Sequence, residues 1–224
     1  MKSRALVLAI INAELIMRDH LIPEGYILIE NGIIQDYGEM FKAGSFEGYE
    51  IIGAKGAYVG PGLVDIHVHA GDDREFYVDP IHAAKFMLQQ GATTILPTLS
   101  FGLDHESLIN AIDIVRQAKD LPGGESISGI YMEGPYLNPK YGTGRDRISF
   151  KGAAKREEYQ EIISRCGNDV RVWAVAPERE NIEQFMRDAK TANPNVVFAV
   201  AHSEATPQQV EELEERLSEV CELT

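Results

Sequence analysis

The residues best suited to chemistry are two histidines one residue apart. His67 and His69 lie in the run Pro61-Gly62-Leu63-Val64-Asp65-Ile66-His67-Val68-His69-Ala70-Gly71. Side chains alternate along a strand, so both imidazoles project to one face, with Asp65 one step earlier on that face. Paired imidazoles suit chelation of a divalent metal. Leu63, Val64, Ile66 and Val68 give the run the character of a buried strand, which Gly71 and the acidic Asp72-Asp73 bring to an end. The competing reading is a pair of hydrogen-bonded core histidines or an exposed edge, although desolvating two unpartnered imidazoles would be costly.

Two further donors stand at comparable places. Glu133 closes Gly129-Ile130-Tyr131-Met132, and Gly134-Pro135 halts that strand at once, which puts the carboxylate at the mouth of a sheet. Taken alone, Glu133 reads equally well as an exposed strand-end glutamate. His202 follows Val196-Val197-Phe198-Ala199-Val200-Ala201, where a lone histidine is more often structural than a ligand. The three positions together carry more weight. Donors at the C-terminal ends of the first, third and fifth strands of one parallel sheet converge on a single rim.

The elements that must hold these residues fall into two parts. Residues 1–56 read as a small β domain built from short antiparallel pieces: Leu6 to Ile11, Glu14 to Met17, Tyr26 to Glu30, Ile33 to Tyr37 and Glu50 to Ile52, with Asn31-Gly32 as a two-residue hairpin signal. Residues 57–224 alternate strands and helices. Strand-like runs cover 63–69, 93–99, 128–133, 170–176 and 196–202. Between them, Leu108/Ala111/Ile112/Val115, Tyr159/Ile162/Ile163/Cys166 and Ile182/Phe185/Met186/Ala189 keep helical spacing, and Val210/Leu213/Leu217/Val220 trace a similar stripe. Thr206-Pro207-Gln208-Gln209 supplies the last helix with an N-cap, a proline at N1 and a capping-box partner. This alternation predicts an α/β fold with a parallel sheet. Five βα units fall short of the eight units and about 250 residues of a closed (β/α)8 barrel. The expectation is therefore an incomplete TIM-like barrel from a longer protein, in preference to an open doubly wound sheet.

Composition narrows the partners. A formal charge of −14 over 224 residues gives no basic face for nucleic acid and no reason to expect an anionic membrane surface. The apolar run Ala5 to Ile11 is too short to span a bilayer and lacks a following small-residue cleavage site, so it reads as a first strand. Cys166 and Cys221 stand alone without Cys-x-x-Cys spacing, as expected of reduced thiols in a cytoplasmic protein. His20, His82 and His105 read as solvated or structural.

Five motifs, in this order, resemble those of the N-acetylglucosamine-6-phosphate deacetylases of the amidohydrolase superfamily. They are Pro-Gly-Leu-Val-Asp-Ile-His-Val-His at 61–69, Gly-Ala-Thr-Thr-Ile-Leu-Pro-Thr at 91–98, Glu-Gly-Pro-Tyr-Leu-Asn-Pro at 133–139, Ala-Pro-Glu at 176–178 and His-Ser-Glu-Ala-Thr at 202–206. The resemblance implies a TIM-like barrel with a small N-terminal β-sandwich domain, one or two divalent metal ions (zinc, iron or similar), a homodimer, and hydrolysis of the acetamide of an amino-sugar phosphate. It implies that Glu133 and His202 ligate the principal metal and that His67 and His69 hold a second. The family's next histidine and its catalytic aspartate would lie beyond Thr224, so residues 1–224 alone are expected not to deacetylate.

One departure bears on substrate. Where the family usually carries a Gly-Ala-His or Gly-Thr-His element, this chain reads Lys140-Tyr141-Gly142-Thr143-Gly144-Arg145-Asp146-Arg147. Gly144, Arg145 and Arg147 are the candidate substrate-binding residues, because a guanidinium can hold a phosphate in bidentate fashion. A solvated basic surface is the alternative, since Lys151, Lys155 and Arg156 follow closely. Two other functions stay open: an amidohydrolase acting on a different N-acyl amine or cyclic amide, and a non-catalytic sugar-binding paralogue.

Overall fold

The computed structural model describes residues 7–142 and 148–218. The chain forms two compact units, Met1–Gly62 and Leu63–Thr224.

The first unit is one mixed sheet. β1 (Val7–Ile16) lies between antiparallel β2 (Leu21–Glu30) and parallel β4 (Glu50–Gly53), β3 (Ile33–Glu39) pairs with β2, and the short β5 (Tyr58–Val59) extends β1 in parallel. Asn31 and Gly32 both take positive φ, 52° and 78°, which closes β2 onto β3 as expected of this dipeptide. Two expectations need correction. The sheet is not wholly antiparallel, because β4 and β5 return beside β1 in its own direction. Nor do its described residues form a sandwich, since all five strands belong to one sheet. The two short runs expected at 6–11 and 14–17 form the single strand β1, which continues through an irregularity at Asn12 (φ 54°).

The second unit alternates strand and helix. β6 (Leu63–Val68) is followed by the short hairpin β7 (Ala70–Gly71) and β8 (Arg74–Glu75), then α1 (Pro80–Gln89), β9 (Ala92–Leu99), α2 (His105–Ala118), β10 (Ile130–Glu133), α3 (Arg156–Cys166), β11 (Val170–Val175), α4 (Ile182–Ala192), β12 (Val197–Val200) and α5 (Pro207–Leu217). Five strands pair in parallel in the order β6-β9-β10-β11-β12. Each new strand adds beside the last without reversal, the order of an arc of a barrel; a doubly wound sheet would switch direction.

The pleat sorts residues between two faces. Ile95, Met132, Trp173, Val175 and Phe198 join the helix-covered core with Leu108, Ile112, Ile162, Phe185 and Met186. Leu96, Tyr131 and Ala174 cluster with Val172 and Ala201 on the opposite face. The first three helical stripes read from the sequence are buried as expected; of the last, Leu213 and Leu217 are buried, Val210 is half-buried, and Val220 lies outside the described residues. Caps fix the helix starts. The Asp79 carboxylate accepts the His82 N–H, Asp104 accepts that of Ser107, and Thr206 and Gln209 form the expected capping box. The hairpin β7–β8 rests its backbone on α1 so closely that a Cβ on Gly71 would meet the Ala83 carbonyl at 2.3 Å. Among the described residues, no helix is long and apolar enough to cross a membrane.

β6 differs from the expected buried strand. Leu63, Val64 and Ile66 are 61%, 66% and 54% exposed, because among the described residues β6 pairs with β9 on one side alone, and α1 lies against β7, β8 and β9.

A charge cluster ties the second helix to the end of the third. Arg116 Nε donates to Asp169 Oδ2 at 2.6 Å, Lys119 donates to Oδ1, and Arg116 also reaches the Arg165 carbonyl at 2.7 Å. Burial raises the Asp169 carboxyl, but the hydrogen bonds from Lys119 and Arg116 outweigh it and hold the group below its ordinary value. A depressed carboxyl contributes stability above its unfolded pKa and loses it as pH falls through the folded one. Asp169→Asn is expected to cost about 1–2 kcal/mol at neutral pH, with partner exposure discounted. In thermal melts this is a Tm loss of about 2–8 °C that shrinks on acidification. A gap from wild type that is constant down to low pH would refute the assignment.

Candidate metal centre

Glu133 is the last residue of β10 and is 5% exposed. It shares the pleat of Tyr131, so it points to the sheet face away from the helices. The following turn is held by the Trp173 indole, whose N–H donates to the Gly134 carbonyl. The ordered strand end thus delivers a buried carboxylate to the rim of the parallel sheet.

Three imidazoles surround that carboxylate. His202 Nε2 lies 2.9 Å from Glu133 Oε1, His69 Nε2 lies 3.3 Å from Oε2, and His67 Nε2 lies 4.0 Å from Oε1. His67 and His69 stand edge to face with ring centroids 5.2 Å apart. All four residues expected to hold metal are therefore brought together, while the candidate substrate residues Gly144, Arg145 and Arg147 lie outside the described residues.

The donor set fits a divalent ion. One donor atom each from His67, His69 and Glu133 lies within 4.8 Å of the others. Ligands bound at about 2.0–2.2 Å stand some 3–4 Å apart, so small side-chain adjustments would suffice. Glu133 Oε2 is buried without a hydrogen bond: His69 Nε2 is close enough, but it is not aligned as a donor. A buried carboxylate oxygen faced by imidazole nitrogens out of hydrogen-bond alignment is the arrangement expected where an ion completes the contact. Charges are matched to this role. Burial raises the Glu133 carboxyl, but the nearby imidazoles of His69 and His202 outweigh it and hold it below the ordinary range; the adjacent Glu133 carboxylate raises His69, whereas burial lowers His67.

His202 reaches the cluster by an unusual route. Continued alternation along β12 would send it to the helix side with Phe198 and Val200, since Ala199 and Ala201 take the other face. A left-handed φ of 47° breaks the alternation. That conformation costs an L-residue roughly 1–2 kcal/mol and persists only where surrounding contacts enforce it. The Asn138 N–H donates to the His202 carbonyl at 3.0 Å. Gly142, at φ 93°, closes on the imidazole so tightly that a Cβ there would meet His202 Nδ1 at 3.0 Å and Phe101 Cζ at 3.1 Å. Asp65 serves locally as well: its carboxylate accepts the His67 N–H at 3.1 Å.

Several contributors were not singled out from sequence. Tyr131 packs edge-on against His67 with centroids 4.5 Å apart, and Phe101 lies 5.5 Å from His202. Asn138, Glu178 and Ser203 form a polar cluster beside His202, and Arg179 is buried, donating to the carbonyls of Leu137, Phe150 and Gly152. Asn138, Glu178 and Ser203 all lie within motifs that carried the resemblance, which was the available signal; nothing local to Arg179 marked it. Of the described basic residues near 140–156, Lys140 pairs with Glu204, Lys155 with Glu158 and Arg156 with Asp188. The remaining histidines take minor parts: His82 faces Asp72, His105 meets the Glu158 carbonyl, and exposed His20 pairs with Asp19.

Comparison with known proteins agrees with this organisation. The chain is 22% identical over 199 residues to the N-acetylglucosamine-6-phosphate deacetylase of Bacillus subtilis, covering 85% of this chain and 49% of that protein. It is 30% identical over 156 residues to the N-acetylgalactosamine-6-phosphate deacetylase of Escherichia coli O157:H7, covering 66% and 40%. Dihydroorotases are also among its relatives. The crystal structure of N-acetylglucosamine-6-phosphate deacetylase from Pasteurella multocida superposes with a TM-score of 0.75 at 19% identity, over 94% of this chain and 54% of that one, which supports the fold. The chain spans about half the length or less of the curated relatives named. Residues 58–222 match the amidohydrolase family. With that match covering most of the chain and a rim of imidazoles around a buried carboxylate, the chain belongs to the amidohydrolase family.

Proposed function

We propose that this chain carries the metal-holding part of a hydrolase that removes the acetyl group from N-acetylglucosamine 6-phosphate, giving glucosamine 6-phosphate and acetate. The observation that carries the reading is the convergence of His67, His69, Glu133 and His202 on one rim. In this reading residues 1–56 are the small β domain and residues 57–224 the partial barrel. The protein acts as a cytoplasmic homodimer on a small amino-sugar phosphate.

Glu133 and His202 would hold the principal ion, and His67 with His69 a second. A bound divalent ion would lower the pKa of water towards ~7 and polarise an amide carbonyl. The chain's own residues do the rest of the work assigned here. Glu133 supplies the fixed negative charge, Tyr131 and Phe101 wall the imidazoles, and Asp65 orients the strand around His67. Gly144, Arg145 and Arg147 would bind the substrate phosphate. A second reading, an amidohydrolase for a different N-acyl amine, draws support from the E. coli relative, which is named for the galactosamine compound.

Metal analysis and kinetics test these assignments. Purified protein is expected to contain one or two divalent ions per chain. Glu133→Gln, which keeps size and loses charge, should weaken metal binding by more than about 100-fold, because even loss of an outer-shell partner costs 10–100-fold. Unchanged metal content in Glu133→Gln would rule out this centre. For the substrate, a panel of 6-phosphorylated and unphosphorylated N-acetylglucosamine and N-acetylgalactosamine, assayed with the intact protein, should favour the phosphorylated glucosamine compound. Arg145→Ala or Arg147→Ala should raise KM for phosphorylated sugars by about tenfold or more and leave unphosphorylated ones unaffected. Equal effects on both classes would exclude a phosphate contact.

A further inference from the structure

We infer that Glu178 is the positioning residue for His202, locking the left-handed turn that aims its imidazole at Glu133. This rests on the reading of His202 as a metal ligand. Glu178 follows β11, in the Ala-Pro-Glu segment, and its carboxylate gathers donors from the loops after both neighbouring strands. Asn138 Nδ2, from the loop after β10, donates to Oε1 at 2.7 Å. From the loop after β12, the Glu204 N–H donates to Oε1 at 2.8 Å and the Ser203 hydroxyl donates to Oε2 at 2.6 Å.

The two loops are also bound to each other at His202 itself, whose carbonyl accepts the Asn138 N–H at 3.0 Å. Ser203 Oγ in turn accepts the Ala205 N–H at 2.9 Å, and Asn138 Oδ1 accepts the Lys140 N–H at 2.9 Å, so both side chains that meet Glu178 are oriented from behind. Glu178 therefore clamps the residues immediately after His202 to the residue that binds the His202 carbonyl. With three donors directed at its two oxygens, the carboxylate is committed to these loops and acts on the centre through His202. The residue whose backbone departs from the preferred region is the one the clamp encloses. Without it, the chain after β12 can relax towards extended backbone, which by alternation would turn His202 to the helix side.

The test uses Co2+ as the probe on the full chain, with far-UV CD and thermal melts to follow folding. Glu178→Gln puts an amide N–H2 among donors, and should weaken Co2+ binding by about 10–100-fold and reduce or shift the visible cobalt absorption. Ser203→Ala should move in the same direction by less, while Ser203→Thr, which keeps the hydroxyl, should restore affinity and spectrum. In the metal-free protein, long-range 1H–15N spectra should show the His202 ring in one environment for wild type and shifted or broadened in Glu178→Gln. A lowered Tm with unchanged Co2+ affinity, cobalt spectrum and His202 resonances would overturn the inference, leaving Glu178 as a brace between loops. If Glu178→Gln does not fold, the Ser203 pair decides on the same readouts. If wild type binds no Co2+ yet its His202 resonances respond to Glu178→Gln, the metal reading fails and the positioning role stands.

Discussion

The second unit depends on one electrostatic constraint, a carboxylate buried at the end of a strand and satisfied chiefly by imidazoles. Removing Glu133 from water is costly unless its charge is matched, and His69 and His202 provide the match. Those partners arrive from widely separated places in the sequence. β6 brings His67 and His69, and the turn after β12 brings His202, so the charge can be compensated only when the first and last of the five strands are both in register with β10. The site is consequently also a check on the fold.

The scaffold around it is ordered by a division of labour between the faces of the sheet. The helix-covered face is filled by large apolar groups, with Tyr136, Tyr159, Phe185 and Trp173 meeting edge to face at centroid distances from 4.9 to 6.2 Å. Such packing supports strand spacing without polar contacts that would compete for Glu133. The opposite face carries a smaller cluster, and the polar residues collect at its C-terminal rim. Stability and chemistry thus use alternate residues of the same strands, Met132 serving one and Tyr131 with Glu133 the other.

Much of this was legible in the sequence because the signals were local and periodic. Strand ends marked by Gly-Pro or by a histidine after an apolar run located Glu133 and His202, helical spacing located the buried faces, and Asn31-Gly32 located the hairpin. What was not legible depended on neighbours. Apolar β6 reads like a core strand, but burial requires elements on both sides, and among the described residues β9 alone pairs with it. The parallel return of β4 alongside β1 leaves no mark in composition. The reorientation of His202 was hidden for the same reason: alternation within a strand is local, whereas the bonds that break it come from residues 138 and 178.

Arg179 has a consequence for how this protein can diversify. One buried guanidinium binds the carbonyls of Leu137, Phe150 and Gly152, so the two stems of the intervening segment are anchored to the same side chain. Closing a longer segment between fixed ends adds only a slowly growing entropic penalty. Insertions between Gly142 and Phe150, past the residues that touch His202, are therefore insulated by this anchor from the strand that carries Glu133. Evolution, or an engineer, can change the length of that stretch while the rim around Glu133 keeps its shape.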